Sequence, residues 1–175
     1  MKMGVVIIDM QRALFATPPD EAGIVVSRVN ELAARARQAG VPVIWVQHVA
    51  EAYMPADSDG WRLVSELIEA PQDLHINKTT PDAFHGTALR HELELRQIEH
   101  LAICGYASEF CVDTTVRRAA ALGYAVTLAA DAHTTHDKPH ASARDIRTHE
   151  NATLPEITSF GVPIRAITAE QISFS

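Results

Sequence analysis

The sequence predicts an α/β fold: one three-layer α/β/α domain over residues 1–175, built on a six-stranded, mostly parallel sheet. Three observations carry that reading. Short apolar runs alternate with helical stretches from end to end, which implies crossover connections and strands covered on both faces. The 175 residues match the size of a single domain, and 47% of them are hydrophobic, enough to bury a proper core. No internal repeat, low-complexity tract or linker divides the chain.

Met3–Ile8 is an apolar run that closes on Asp9, the pattern of a strand buried on both sides. Val25, Val29, Leu32 and Ala36 recur at helical spacing, and Gly40 marks the stop. Val41–Val46, rich in β-branched residues and Trp45, is the second strand. The irregular stretch Val49–Trp61, with Pro55, Gly60 and several acids, reads as a surface loop. Leu63, Val64, Leu67 and Ile68 predict a short helix ahead of Pro71. Leu74–Asn77 is a third strand, Thr87–Arg96 is helical, and Leu101–Cys104 is strand four, ending at Gly105. Val112, Val116 and Ala119 fall on one helical face, with Gly123 placed to end that helix. Ala125–Ala130 is strand five and Asp145–Thr153 a further helix. Val162–Ile167 is the last strand, and Pro163 puts it at an edge because proline cannot donate to a central ladder.

A net charge of −7 argues against nucleic acid or anionic lipid as a partner. The apolar run Val5–Ile8 is too short for a signal peptide or a membrane span, so a cytoplasmic protein with a small-molecule substrate is expected. Parallel sheets bind ligands outside the carboxyl ends of their strands. By that rule Asp9, Gln47–His48, Lys78, Gly105–Cys111 and Asp131–His133 converge on one rim.

Three residues of that rim form a chemical set. Cys111 stands in the first turn of a helix, where unpaired N–H groups and the helix dipole favour thiolate. Asp9, desolvated at the end of an apolar strand, is a proton acceptor, and Lys78 supplies the balancing cation. Singly, each has a plainer reading: a buried structural thiol, a turn cap and a surface lysine. Taken jointly on one rim, the three are harder to dismiss as structural. The second thiol, Cys104, lies inside strand four and is expected to be inert. The two cysteines match no zinc or thioredoxin spacing.

Three segments carry a resemblance to a known family: Ile8-Asp9-Met10-Gln11, the run from Lys78 through Phe84-His85-Gly86-Thr87, and the run from Gly105 through Cys111-Val112. In order and spacing they resemble the isochorismatase-like cysteine hydrolase superfamily, in its metal-independent branch near streptothricin hydrolase-like members. The likeness extends over essentially the whole chain. It implies a Rossmann-like strand order, a catalytic Asp9–Lys78–Cys111 triad and a cis peptide at Tyr106–Ala107. It also implies an oxyanion hole from the Ala107 and Cys111 N–H groups, and a homodimer or larger homo-oligomer. The implied activity is hydrolysis of a C–N bond in a small amide, lactam or carbamoyl compound through an acyl-enzyme on Cys111. The alternatives are nicotinamidase-like or isochorismatase activity, or a non-catalytic ligand-binding domain.

No cofactor and no metal are expected. The metal-binding nicotinamidase branch has an Asp-x-His element after strand two, where this chain has Val46-Gln47-His48. His133, His136 and His140 mimic a ligand run but read as an ordinary loop after strand five. For the substrate pocket the candidates are Gln11, Phe15, His48, Trp61, Phe84 and Tyr106, with Phe110 also in reach of the rim. Trp61 leads because it follows Gly60 in a loop, and Glu109 either binds a substrate amine or caps the helix.

Overall fold

The strands are β1 (Met3–Ile8), β2 (Val43–His48), β3 (Leu74–Lys78), β4 (His100–Tyr106), β5 (Ala125–Thr134) and β6 (Ile164–Ile167) in the computed structural model, which describes residues 1–174. They pair in the order β3-β2-β1-β4-β5-β6, and every neighbouring pair is parallel. This is the Rossmann order, whose direction reverses between β1 and β4. The helices are α1 (Arg12–Phe15), α2 (Ala22–Gln38), α3 (Leu89–Leu95), α4 (Asp113–Ala121) and α5 (Ala143–Thr153).

Successive residues of a strand face opposite sides of a sheet, and that alternation builds two cores. Val5 and Ile7 of β1 join Val25, Val29 and Leu32 of α2 on one face. Val6 and Ile8 join Leu89 and Leu93 of α3 and Val116 and Ala119 of α4 on the other. Trp45 is fully buried, and its indole N–H donates to Asp73 at 2.8 Å, so even the largest core side chain has its polar atom satisfied.

Several boundaries differ from the sequence reading. Leu63–Ile68 is not a helix. Leu63 forms an antiparallel bridge with Gln11, and the Val64 N–H donates to the Met10 carbonyl at 3.0 Å. Asn30 of α2 then grips the segment, accepting from the Ile68 N–H and donating to the Glu66 carbonyl, both at 2.9 Å. Distant partners thus satisfy the backbone that a helix would have satisfied locally. Helix α3 begins at Leu89 rather than Thr87, whose hydroxyl accepts from the Leu89 N–H at 3.2 Å. Ser142 caps α5 through the Asp145 N–H, so the helix starts at Ala143, two residues ahead of the expected start. Strand β5 continues through Thr134, past the expected end at Ala130. Pro163 lies just outside edge strand β6 and contributes only its carbonyl, which accepts from the Val126 N–H.

Gly105 fixes how closely β4 approaches β1. It pairs with Ile8 at φ 120°, and a Cβ there would lie 2.1 Å from the Ile8 carbonyl oxygen. Only glycine fits that contact. The register of β4 on β5 also shifts between Ile103 and Gly105. The chain leaving β4 therefore turns out over the switch point.

Candidate active site

Four strand ends meet at that switch point. The Asp9 N–H donates to the Val46 carbonyl at 2.8 Å, continuing the β1–β2 ladder by one bond. Asp9 itself adopts φ 50°, a left-handed turn for which aspartate is among the better-tolerated side chains. Gln11, fully buried, then locks β1 to β2. Its amide donates to the His48 carbonyl at 2.9 Å and accepts from the His48 N–H at 2.8 Å, while also donating to the Trp61 carbonyl. Lys78 ends β3 with its side chain completely buried.

The lysine organises the site. Lys78 Nζ donates to Asp9 Oδ2 at 2.8 Å and to Cys111 Sγ at 3.3 Å, and lies 3.2 Å from His48 Nδ1. Asp9 Oδ1 is buried with no nitrogen or oxygen partner among the described residues. Beyond β4 the Tyr106–Ala107 peptide is cis, and a π-helical turn, Ser108–Val112, leads into α4. The Ala107 carbonyl accepts from the Phe110 and Val112 N–H groups and passes over Cys111 between them.

Electrostatics correct one expectation. Cys111 is not poised as a thiolate: burial first, then the Asp9 charge, push its thiol up to about 12, against a smaller downward pull from Lys78. The first turn of the helix does not overcome desolvation. Burial also raises Asp9 above the usual carboxylate range, with Lys78 offsetting part of the effect. His48 is held below the ordinary imidazole range by burial and by the Lys78 charge. Cys104 is fully buried and likewise pushed up to about 12, by burial alone.

A pocket of about 200 Å³ opens on Cys111 and Asp9. His48, Tyr106 and Ala107 form its inner wall, and Leu14, Tyr53, Pro81 and Phe110 the outer one. Asp9, His48, Lys78, Tyr106, Ala107 and Cys111 are thus brought together as the sequence suggested. The other pocket candidates are placed elsewhere. Gln11 faces the β2 backbone. Phe15 stands behind the wall, edge-on to Tyr106 with ring centroids 5.7 Å apart. Trp61 lines a separate hollow with Arg12 and His75, its indole N–H directed to Asn77 Oδ1 at 3.1 Å. Phe84 is core, stacked on Tyr124 at 5.8 Å. Glu109 is not among the residues lining the pocket: it sits in the first turn of the π-helical segment without a side-chain cap bond, accepts from the Thr135 hydroxyl at 2.9 Å and pairs with Lys138 at 3.2 Å. The residues missed were Leu14, Tyr53 and Pro81. Tyr53 carried one signal, an aromatic residue within the Val49–Trp61 loop.

The histidine run does not converge, and His133 belongs to β5 rather than to a loop. Burial holds its ring down to about 4, so with Nε2 donating to Asn151 Oδ1 at 2.8 Å, Nδ1 accepts from the Ser108 hydroxyl at 2.7 Å. His136 bridges the Tyr106 hydroxyl and the Thr17 carbonyl, both at 2.7 Å, and His140 is exposed. A divalent metal does not fit at the end of β2 either. Val46 is apolar core, Gln47 donates to the Trp61 carbonyl at 3.0 Å, and His48 Nδ1 already faces Lys78. Among the described residues no group of three or more His, Cys, Asp or Glu side chains is arranged to hold a metal ion.

The Isochorismatase domain matches residues 3–159 of this chain. The chain belongs to the isochorismatase family. It is 37% identical to a streptothricin hydrolase of Streptomyces noursei over 139 residues, covering 77% of this chain and 50% of that protein. The chain thus spans about half the length of that relative. A ureidoacrylate amidohydrolase, RutB of Caulobacter segnis, is 29% identical over 169 residues, covering 73% of this chain and 70% of its own. Among solved structures, one described as an isochorismatase family protein superposes with a TM-score of 0.85 at 32% identity, covering 95% of this chain and 98% of that one. The all-parallel six-stranded sheet is therefore the isochorismatase fold. Among the described residues no helix is long and apolar enough to cross a membrane.

Proposed function

We propose that this isochorismatase-family chain is a cysteine hydrolase that cleaves the C–N bond of a small uncharged amide, lactam or carbamoyl compound. One observation carries the reading: a fully buried Lys78 ammonium donates to both Asp9 and Cys111 at the floor of a pocket. The charges of Asp9 and Lys78 offset each other, and the remaining pocket lining adds none, which suits an uncharged substrate. Relatives named as a hydrolase and an amidohydrolase support the same class.

In this mechanism Asp9 takes the thiol proton through Oδ1 as Sγ attacks the carbonyl carbon. The thiol rests protonated, so proton removal accompanies attack rather than preceding it. Lys78 stabilises the developing thiolate, and the Ala107 and Cys111 N–H groups receive the oxyanion. Asp9 returns the proton to the leaving nitrogen, the C–N bond breaks, and a thioester remains on Cys111. Water, deprotonated by Asp9, then attacks the thioester; the acid departs and the thiol regains its proton.

The test is intact mass measurement on protein quenched during turnover of an amide, lactam and ureide panel, with released ammonia or amine read in parallel. An acyl adduct on Cys111 is expected, together with loss of turnover by several orders of magnitude in Cys111→Ala. Cys104→Ala should keep near-full activity. Turnover that survives Cys111→Ala would refute the mechanism.

A further inference from the structure

The steps above make no use of the His48 ring, yet the ring is closely held. The Gln11 amide fixes its main chain from both sides, through bonds of 2.8 and 2.9 Å that do not involve the ring. The ring itself meets Lys78. An ammonium has three N–H donors and no acceptor, and Asp9 Oδ2 at 2.8 Å, His48 Nδ1 at 3.2 Å and Cys111 Sγ at 3.3 Å take all three. Nδ1 must therefore accept, which leaves the ring proton on Nε2. Burial, and then the same lysine charge, hold the ring below the ordinary imidazole range. His48 lines the pocket beside Cys111, and its Nε2 has no hydrogen-bond partner among the described residues.

Few other side chains can donate into this pocket. The Tyr106 hydroxyl is committed to His136 Nδ1 at 2.7 Å. Tyr53 is 66% exposed at the rim, and Leu14, Pro81 and Phe110 have no donor to offer. We propose that His48 is a specificity-determining residue, its fixed Nε2–H selecting uncharged substrates with a second acceptor beside the scissile carbonyl, such as N-acyl ureas or imides, over simple amides. The proposal rests on Cys111 being the nucleophile. A donor left without its acceptor once the pocket closes on substrate penalises the wrong compound by more than a neutral hydrogen bond returns, which makes such a contact a discriminator.

Two substitutions separate the two ring nitrogens. In His48→Asn the side-chain amide takes the place of Nδ1, so the acceptor for Lys78 is kept and the pocket donor is lost. In His48→Gln the amide nitrogen takes the place of Nε2, so the donor is kept. The probes are chloroacetamide and N-(chloroacetyl)urea, uncharged reagents that differ by one carbamoyl group, which brings the second carbonyl acceptor. With each, Sγ displaces chloride, an S–C bond forms and the thiol proton is released. Labelling rates of Cys111 are read by intact mass, and each is divided by the reagent's rate with glutathione to remove intrinsic reactivity. Wild type should then prefer the acyl urea about tenfold, equivalent to ~1.4 kcal/mol. His48→Asn should bring the ratio to about one, and His48→Gln should retain most of it. A wild-type ratio near one, or an unchanged ratio in His48→Asn, overturns the role of His48 and leaves the nucleophile assignment standing. Failure of both reagents to label Cys111 overturns the nucleophile assignment, and this proposal with it.

Discussion

At the scale of single residues, Asp9 acts on Cys111 in two opposed ways. Its negative charge holds the thiol high, and in the mechanism we propose its Oδ1, left without a nitrogen or oxygen partner among the described residues, is the acceptor for the thiol proton. Asp9→Asn should therefore slow amide turnover by ~10²–10⁴ while lowering the pH at which iodoacetamide alkylates Cys111. Lys78→Ala should slow turnover as well but move alkylation to higher pH, because the lysine is the cation that draws the thiol down. Stopped-flow alkylation between pH 6 and pH 11 checks both; shifts of the same sign would contradict the arrangement. The sequence located these residues because an apolar strand closing on a polar residue marks the ligand end of a parallel sheet. It misjudged the thiolate because it weighed the helix terminus and not the burial of Sγ, which depends on groups distant in sequence. Trp61 was misplaced for a related reason: Asn77 of β3 claims its indole, and nothing local to Gly60-Trp61 announces that partner.

At the scale of elements, β4 and the turn that follows it carry the tightest constraint. Gly105→Ala would drive a Cβ into the Ile8 backbone at φ 120°. A cost of about 3 kcal/mol or more is expected, strain and overpacking together, read as a lowered denaturation midpoint with Cys111 misplaced in whatever remains folded. On α5, which packs against β5 and the Ser108–Val112 turn, Glu150 is raised to about 7 by burial first, then by the charge of Asp113 and a hydrogen bond to it; Arg117 opposes the effect and Glu109 adds to it. A carboxyl raised on folding binds its proton more tightly in the native state. Its contribution therefore favours folding at low pH and is lost as pH climbs from about 4.5 to about 7. Glu150→Gln should raise Tm by about 2–4 °C at pH 8, equivalent to ~1 kcal/mol in a domain of this size, and by little at pH 5. Parallel Tm curves for wild type and variant across that range would remove Glu150 as the cause. The strands were legible because burial on both faces leaves unbroken apolar runs. Leu63–Ile68 was not, since its apolar spacing suits a helix equally well and only Met10, Gln11 and Asn30 decide against one.

At the scale of the whole molecule, the end of β2 lacks the Asp-x-His element of the nicotinamidase branch. Val46 and Gln47 are turned into the core and toward Trp61, and His48 Nδ1 faces an ammonium, so a hard divalent ion finds no charge-matched ligand there. Prolonged EDTA treatment should leave kcat/KM within about twofold, under the ~0.4 kcal/mol that would signal a lost transition-state contact. Inactivation by the chelator, with recovery on adding Zn²⁺, Mn²⁺ or Fe²⁺, would reverse that conclusion.

The site also bears on how the chain folds. His48 and Lys78 end β2 and β3, while Asp9 and Cys111 follow β1 and β4; the four strands adjoin in space, and each pairing of them spans a long stretch of sequence. Parallel neighbours need crossovers, and such non-local pairings reward the chain only after its loops have closed. No contiguous fragment short of residues 9–111 contains all four groups, and within that span β3 must reach β2, and β4 must reach β1, before Lys78 can touch both acceptors. During renaturation, the abnormal titration of one sulfur should return only when the central sheet has closed in the correct order, making Cys111 a built-in gauge of native topology.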